Sequence, residues 1–79
     1  MHLADLPRNQ PATIAAIDWV MLGETATRRL RALGFDAGVT VETLHTAGLI
    51  VRDPLAVRVG RMTIAIRKAQ AEAVLLEPQ

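Results

Sequence analysis

Apolar and polar positions along the chain change period several times, and each change marks an element. The run Ala12-Thr13-Ile14-Ala15-Ala16-Ile17 follows Pro11, stops at Asp18 and holds two isoleucines and a threonine, which predicts a strand. Over residues 24–33 the period lengthens. Ala26, Leu30 and Leu33 fall at i, i+4 and i+7 and form one apolar stripe of a helix. Glu24 stands at the positive end of its dipole, and Arg28, Arg29 and Arg31 gather toward the negative end. Gly34 is placed to be the left-handed residue that stops the helix, with Phe35 reaching back to Leu30.

After the turn Asp36-Ala37-Gly38, residues 39–45 alternate with Val39 and Val41 inward, and Leu44 breaks the phase, placing a bulge or the strand end near it. Residues 55–59 and 62–67 alternate cleanly about Gly60-Arg61, the two-residue connection of a tight hairpin. Residues 68–72 have room for one helical turn, and residues 74–77 form a last short strand. Near the start, a turn punctuated by Pro7 lays Leu3 and Leu6 on the core. The pattern therefore predicts a mainly β fold: five short strands with one α-helix between strands 1 and 2. A small, strongly bent barrel closes the sheet edges most economically, with the 26/30/33 stripe as its plug.

Length and composition narrow the class further. With 79 residues, one domain over 1–79 is expected, and without cysteine neither a disulfide nor a thiolate zinc site can staple it. The 51% of apolar residues must supply the stability, and they are mostly aliphatic, with one Trp, one Phe and no Tyr. A net charge of +1 implies neither a nucleic-acid nor an acidic partner by itself. The longest run of large apolar residues is Trp19-Val20-Met21-Leu22, far short of the ~18 that would span a bilayer. No signal peptide is visible, and a cytoplasmic protein without membrane insertion is the expectation.

No enzymatic constellation emerges. Phosphate-loop, dinucleotide-binding and zinc-protease motifs are absent, and the chain contains no serine for a nucleophile elbow. His2 and His45 are the only imidazoles; Glu42 and His45, three apart on a strand, point to opposite faces. No catalytic residue, no cofactor and no metal site are expected. Arg52, Arg58, Arg61, Arg67 and Lys68 make a basic cluster, with Arg58 and Arg67 on one face. Single-strand nucleic-acid binders add aromatic platforms, which these strands lack, so a solvated outer face is the better account. The Trp19–Leu22 run has two readings: Val20 and Leu22 pack inward, or the run is an exposed apolar contact for a partner. Arg28 and Arg31, at i and i+3, stand side by side opposite the apolar stripe and can offer two forks to carboxylates.

The segment Arg29-Leu30-Arg31-Ala32-Leu33-Gly34-Phe35-Asp36-Ala37-Gly38-Val39-Thr40-Val41 resembles the R-L-x-x-L-G-[FL]-x-x-G-x-x-[VI] signature of the ferrous iron transport protein A (FeoA) family. Asp53-Pro54-Leu55-Ala56-Val57 is similar to its D-P-[IL]-x-[IV] strand. Ala65-Ile66-Arg67-Lys68, with Ala71 and Val74, resembles its A-L-R-x-x-x-A-x-x-[IV] ending, and Leu3-Ala4-Asp5-Leu6 its L-x-x-L opening. The resemblance runs through nearly the whole chain. It departs at residues 47–54, where the family has a tight P-L-G turn and this chain is longer, with Arg52 in place of glycine. The resemblance implies an SH3-like barrel in a cytoplasmic accessory protein of ferrous iron uptake, acting with FeoB, a membrane permease with a cytosolic GTP-binding part. The alternative from another class is a small-barrel nucleic-acid-binding or transcription-regulator-like module. Candidate partner-binding residues are Arg28, Arg31, Trp19, Met21, Arg52 and Asp53; Leu30, Leu33, Gly34, Phe35, Gly38 and Pro54 are candidates for structural roles.

Overall fold

The structure, a computed structural model, describes residues 1–44 and 53–78. Strands β1 (Pro11–Ile17), β2 (Thr40–Thr43), β3 (Leu55–Val59), β4 (Met62–Ile66) and β5 (Val74–Leu76) form one antiparallel sheet in the order β4-β3-β2-β1-β5. β1 serves two partners in succession. Its first half pairs with β2, Ala12 opposite Val41, and its second half with β5, Ile14 opposite Leu76 and Ile17 opposite Val74. Between them Ala15 is an extra residue, because Ile14 and Ala16 oppose the consecutive Leu76 and Leu75. The inward positions of β1 are accordingly Ala12, Ile14 and then Ile17.

The edges are handled differently from the closed barrel that the pattern predicts. Among the described residues β4 and β5 do not pair, and the sheet stays open. The β5 edge is covered by the start of the chain: the Leu76 N–H donates to the Met1 carbonyl at 2.8 Å, and His2 bridges to Leu75. This holds Leu3 and Leu6 in the core, both fully buried, as expected of that segment. On β4, the guanidinium of Arg29 donates to the Ala65 carbonyl at 3.0 Å. A side chain thus occupies part of an edge that strand pairing would otherwise fill.

Two helices, rather than one, lie between β1 and β2: α1 (Trp19–Leu22) and α2 (Glu24–Ala32). α1 starts where Asp18 accepts the Met21 N–H at 3.0 Å, an N-cap that opens a helix too short to show a period in sequence. α2 ends as its sequence predicts, with Leu33 as the cap. Gly34, at φ +97°, donates to the Arg31 carbonyl at 3.0 Å and Phe35 to the Leu30 carbonyl at 3.0 Å. Leu30 and Phe35 are buried; Leu33 packs against the core from its margin, and Ala26 is only half-buried. Gly38, at φ +87°, brings its N–H to the Ile14 carbonyl at 2.8 Å, a left-handed turn that aims the chain into β2.

Strand ends are shorter than the alternation implies. β2 begins at Thr40 with Val39 half-buried before it, and it ends at Thr43; His45 lies outside the described residues. β4 ends at Ile66 because Arg67 turns to start α3 (Lys68–Ala71), and β5 stops at Leu76. The hairpin at Gly60-Arg61 matches in register, with Val59 opposite Met62. Val41, Leu55, Val57, Val59, Ile66, Val74 and Leu76 also belong to the core, with the small Ala4 and Ala71.

Candidate functional site

Helices α1 and α2 meet at Gly23, whose φ of +83° permits the sharp change of direction between them. The junction is tied from both sides: the Gly23 N–H donates to the Trp19 carbonyl at 3.1 Å, and the Thr27 hydroxyl reaches the same oxygen at 3.1 Å. Short helices held this way form an open groove of about 620 Å³, with Trp19, Val20 and Gly23 on one wall and Glu24, Thr27, Arg28 and Arg31 on the other.

Its chemistry is mixed. Val20 is 93% exposed, against the inward packing that one reading of the run requires, while Leu22 does pack against the core. Trp19 is half-buried, and the Arg31 guanidinium lies over its ring at 4.5 Å, a cation–π contact that fixes both side chains. Arg28 does not stand free beside Arg31; its guanidinium is paired at 2.6 Å with Glu24 one turn earlier, both ends well exposed. Arg31 has no carboxylate partner among the described residues.

The structure brings together three of the candidates, Arg28, Arg31 and Trp19, and adds Val20 and Glu24, which were not among them. The others lie elsewhere. Met21, 54% exposed, borders a smaller depression beside His2 and Leu75. Asp53 faces inward to its own chain: its Oδ1 accepts the Lys68 N–H at 3.0 Å, securing the start of α3, and lies 3.3 Å from Arg67 Nε. Pro54, exposed, follows it in a cis peptide and leads into β3. Arg52 lies outside the described residues. The basic cluster on the strands is partly compensated, since Arg58 lies 3.9 Å from Glu42 and Arg67 pairs with Asp53.

Two contacts escaped the sequence: Arg31 over Trp19, twelve positions apart, and Arg29 on Ala65. Neither spacing carries a local signal. Glu24 with Arg28 was legible as an i,i+4 pair. Among the described residues no three His, Asp or Glu side chains converge as metal ligands, and no helix is long and apolar enough to cross a membrane.

The FeoA domain family matches residues 1–78. This chain belongs to the FeoA family. Its likeness extends to three dimensions. The FeoA of Stenotrophomonas maltophilia, complexed with zinc, superimposes with a TM-score of 0.81 at 31% identity, over 98% of this chain and 89% of that one. That protein is described as a prokaryotic SH3 domain protein and put forward as a ferrous iron transport activating factor. The FeoA of Chlorobium tepidum follows at 26% identity and TM-score 0.80, over 96% of this chain and 68% of that one. Iron(II) transport protein A of Clostridium thermocellum gives 27% and 0.81, over 98% of this chain and 44% of that one. A manganese-dependent transcriptional repressor, at 19% identity and TM-score 0.70, shares the fold. No curated protein sequence matches. The fold of this FeoA-family chain is thus SH3-like and mainly β, with its sheet left open, and its family is associated with ferrous iron transport rather than with a known enzyme activity.

Proposed function

We propose that this FeoA-family protein is a cytoplasmic accessory factor of ferrous iron uptake that binds the cytosolic part of a FeoB-type permease through the α1–α2 groove. The observation that carries the reading is Val20, an aliphatic side chain 93% exposed at the α1–α2 junction, in a groove lined by Arg28 and Arg31. An apolar anchor with charged neighbours is the composition of a protein contact rather than of a solvated face. The basic cluster supports a nucleic-acid contact less well, because Arg58 and Arg67 face carboxylates and the cluster contains no aromatic residue. In this role the protein carries no chemistry of its own; it adds a docking surface to the transporter.

The test is a binding measurement between the purified protein and the separated cytosolic and membrane parts of FeoB. Changing Arg28 and Arg31 together to glutamate leaves the core stripe intact. It is expected to weaken binding to the cytosolic part about tenfold or more, the ratio that corresponds to ~1.4 kcal/mol. Wild-type affinity in that folded double variant rules the groove out as the FeoB contact.

A further inference from the structure

Glu24 sits in the groove in the position a ligand carboxylate would take. Its oxygen approaches the Arg28 guanidinium at 2.6 Å, yet both side chains are about four-fifths exposed, so the pair is open to exchange. Exposed pairs of this kind contribute little to folding. Arg31, next along the same wall, is held over Trp19 at 4.5 Å, and a guanidinium stacked by its face keeps its N–H groups free to donate in its plane. The groove therefore offers one fork filled by an internal carboxylate, one fork without a carboxylate, and Val20 exposed beside them.

Resting on the docking role proposed above, we infer that the groove receives an acidic peptide segment. One carboxylate of that segment displaces Glu24 from Arg28, a second meets Arg31, and an aliphatic side chain covers Val20. Glu24 is then a built-in competitor that keeps the forks ordered and lowers the affinity for acidic ligands. Charge decides the occupant. Two guanidinium groups face one carboxylate here, so an incoming segment with two carboxylates completes the balance. A second copy of the chain fits poorly, because a two-fold contact on this groove brings four guanidinium groups and only two carboxylates together and leaves the excess of positive charge unmatched. The volume of about 620 Å³ accommodates a few side chains of such a segment.

The test uses blocked peptides that alternate aspartate with leucine, and asparagine counterparts, titrated into isotope-labelled protein while the Trp19 indole and Val20 amide signals are followed. The aspartate peptide is expected to shift both signals and the asparagine peptide neither. Glu24→Gln is expected to tighten aspartate-peptide binding about two- to fivefold, the scale of an exposed ion pair. In an Arg28→Gln background the same change is expected to have no effect, since the competitor no longer has a site. Equal shifts from both peptides, no shift, or a Glu24→Gln protein that binds no tighter overturns the inference. So does a response of these signals to phosphatidylglycerol vesicles or to single-stranded RNA in place of the peptide. The FeoB titration separates the two claims. FeoB binding that needs Arg28 and Arg31 without any peptide response refutes only the acidic-segment chemistry. A peptide response without FeoB binding refutes only the choice of FeoB.

Discussion

At its C-terminal end helix α2 is built into the molecule: Leu30 is fully buried, Phe35 folds under it, and Gly34 turns left-handed so that two backbone N–H groups satisfy the last carbonyls. Along its outer face the same helix is turned to solvent. There Glu24 and Arg28 pair in solvent, Trp19 of α1 lies under Arg31 of the last turn, and Val20 beside them is almost fully exposed. The contrast separates two kinds of residue on one element. Leu30, Gly34 and Phe35 fix the helix on the sheet, whereas Val20, Glu24 and Arg28 stand in solvent outside the core. A junction held by hydrogen bonds at the Trp19 carbonyl and by the Arg31–Trp19 contact presents its exposed side chains in an ordered arrangement, which lowers the cost of ordering them on binding.

Substitutions can break this division, and the largest effect is expected at Leu30. Leu30→Ala leaves a void under a fully buried position and should cost about 2–5 kcal/mol in urea denaturation. A loss below ~1 kcal/mol would show that the C-terminal end is not the anchor. Next comes Gly34→Ala. A Cβ there meets only Val59 Cγ1 at 3.9 Å, so space is not the issue and the φ of +97° is. About 1 kcal/mol or somewhat more is expected from left-handed strain, read as a lowered Tm. Arg29→Ala removes the guanidinium from the Ala65 carbonyl. A loss of about 0.5–1.5 kcal/mol is expected, with faster amide exchange in β4 as its local signature; unchanged exchange would mean that the contact does not hold the edge. The smallest effect belongs to Val20→Ala, expected to stay within ~0.5 kcal/mol of the wild type. A larger loss would place Val20 in the fold rather than on a binding face.

How much of this was legible follows the same geography. The stop of α2 was written in adjacent residues, Leu33-Gly34-Phe35, because a left-handed glycine and the apolar residue after it act locally. The hairpin at Gly60-Arg61 and the inward set Leu55, Val57 and Val59 were legible for the same reason, since alternation is a property of neighbours. What sequence could not show was each contact made across the fold. Arg29 read as compensation of the helix dipole, yet it reaches a strand thirty-six positions away. Nor does the sequence show that the Asp53 carboxylate accepts the Lys68 N–H at the start of α3, fifteen positions on. The candidate site was half legible: its arginines and its apolar run were named separately, and only the turn at Gly23 joins them into one groove. The open sheet was missed because economy of edges argues for closure, while the chain covers those edges with its first residues and with one side chain.

The extra residue in β1 has a consequence of another kind. Inward side chains fall at positions 12, 14 and 17, so removing Ala15 would give 12, 14 and 16, a regular alternation with the same residues still inside. Ala15 is therefore not needed for burial. It adds curvature, letting one strand leave β2 and join β5 with no change in which side chains are hidden. The bend of the sheet is carried by arithmetic, by the number of residues between two isoleucines. Loss of Thr13 instead would shift the count ahead of Ile14 and turn the strand inside out over half its length. Two deletions two positions apart thus have different meanings: one straightens the strand, and the other puts its two halves out of phase.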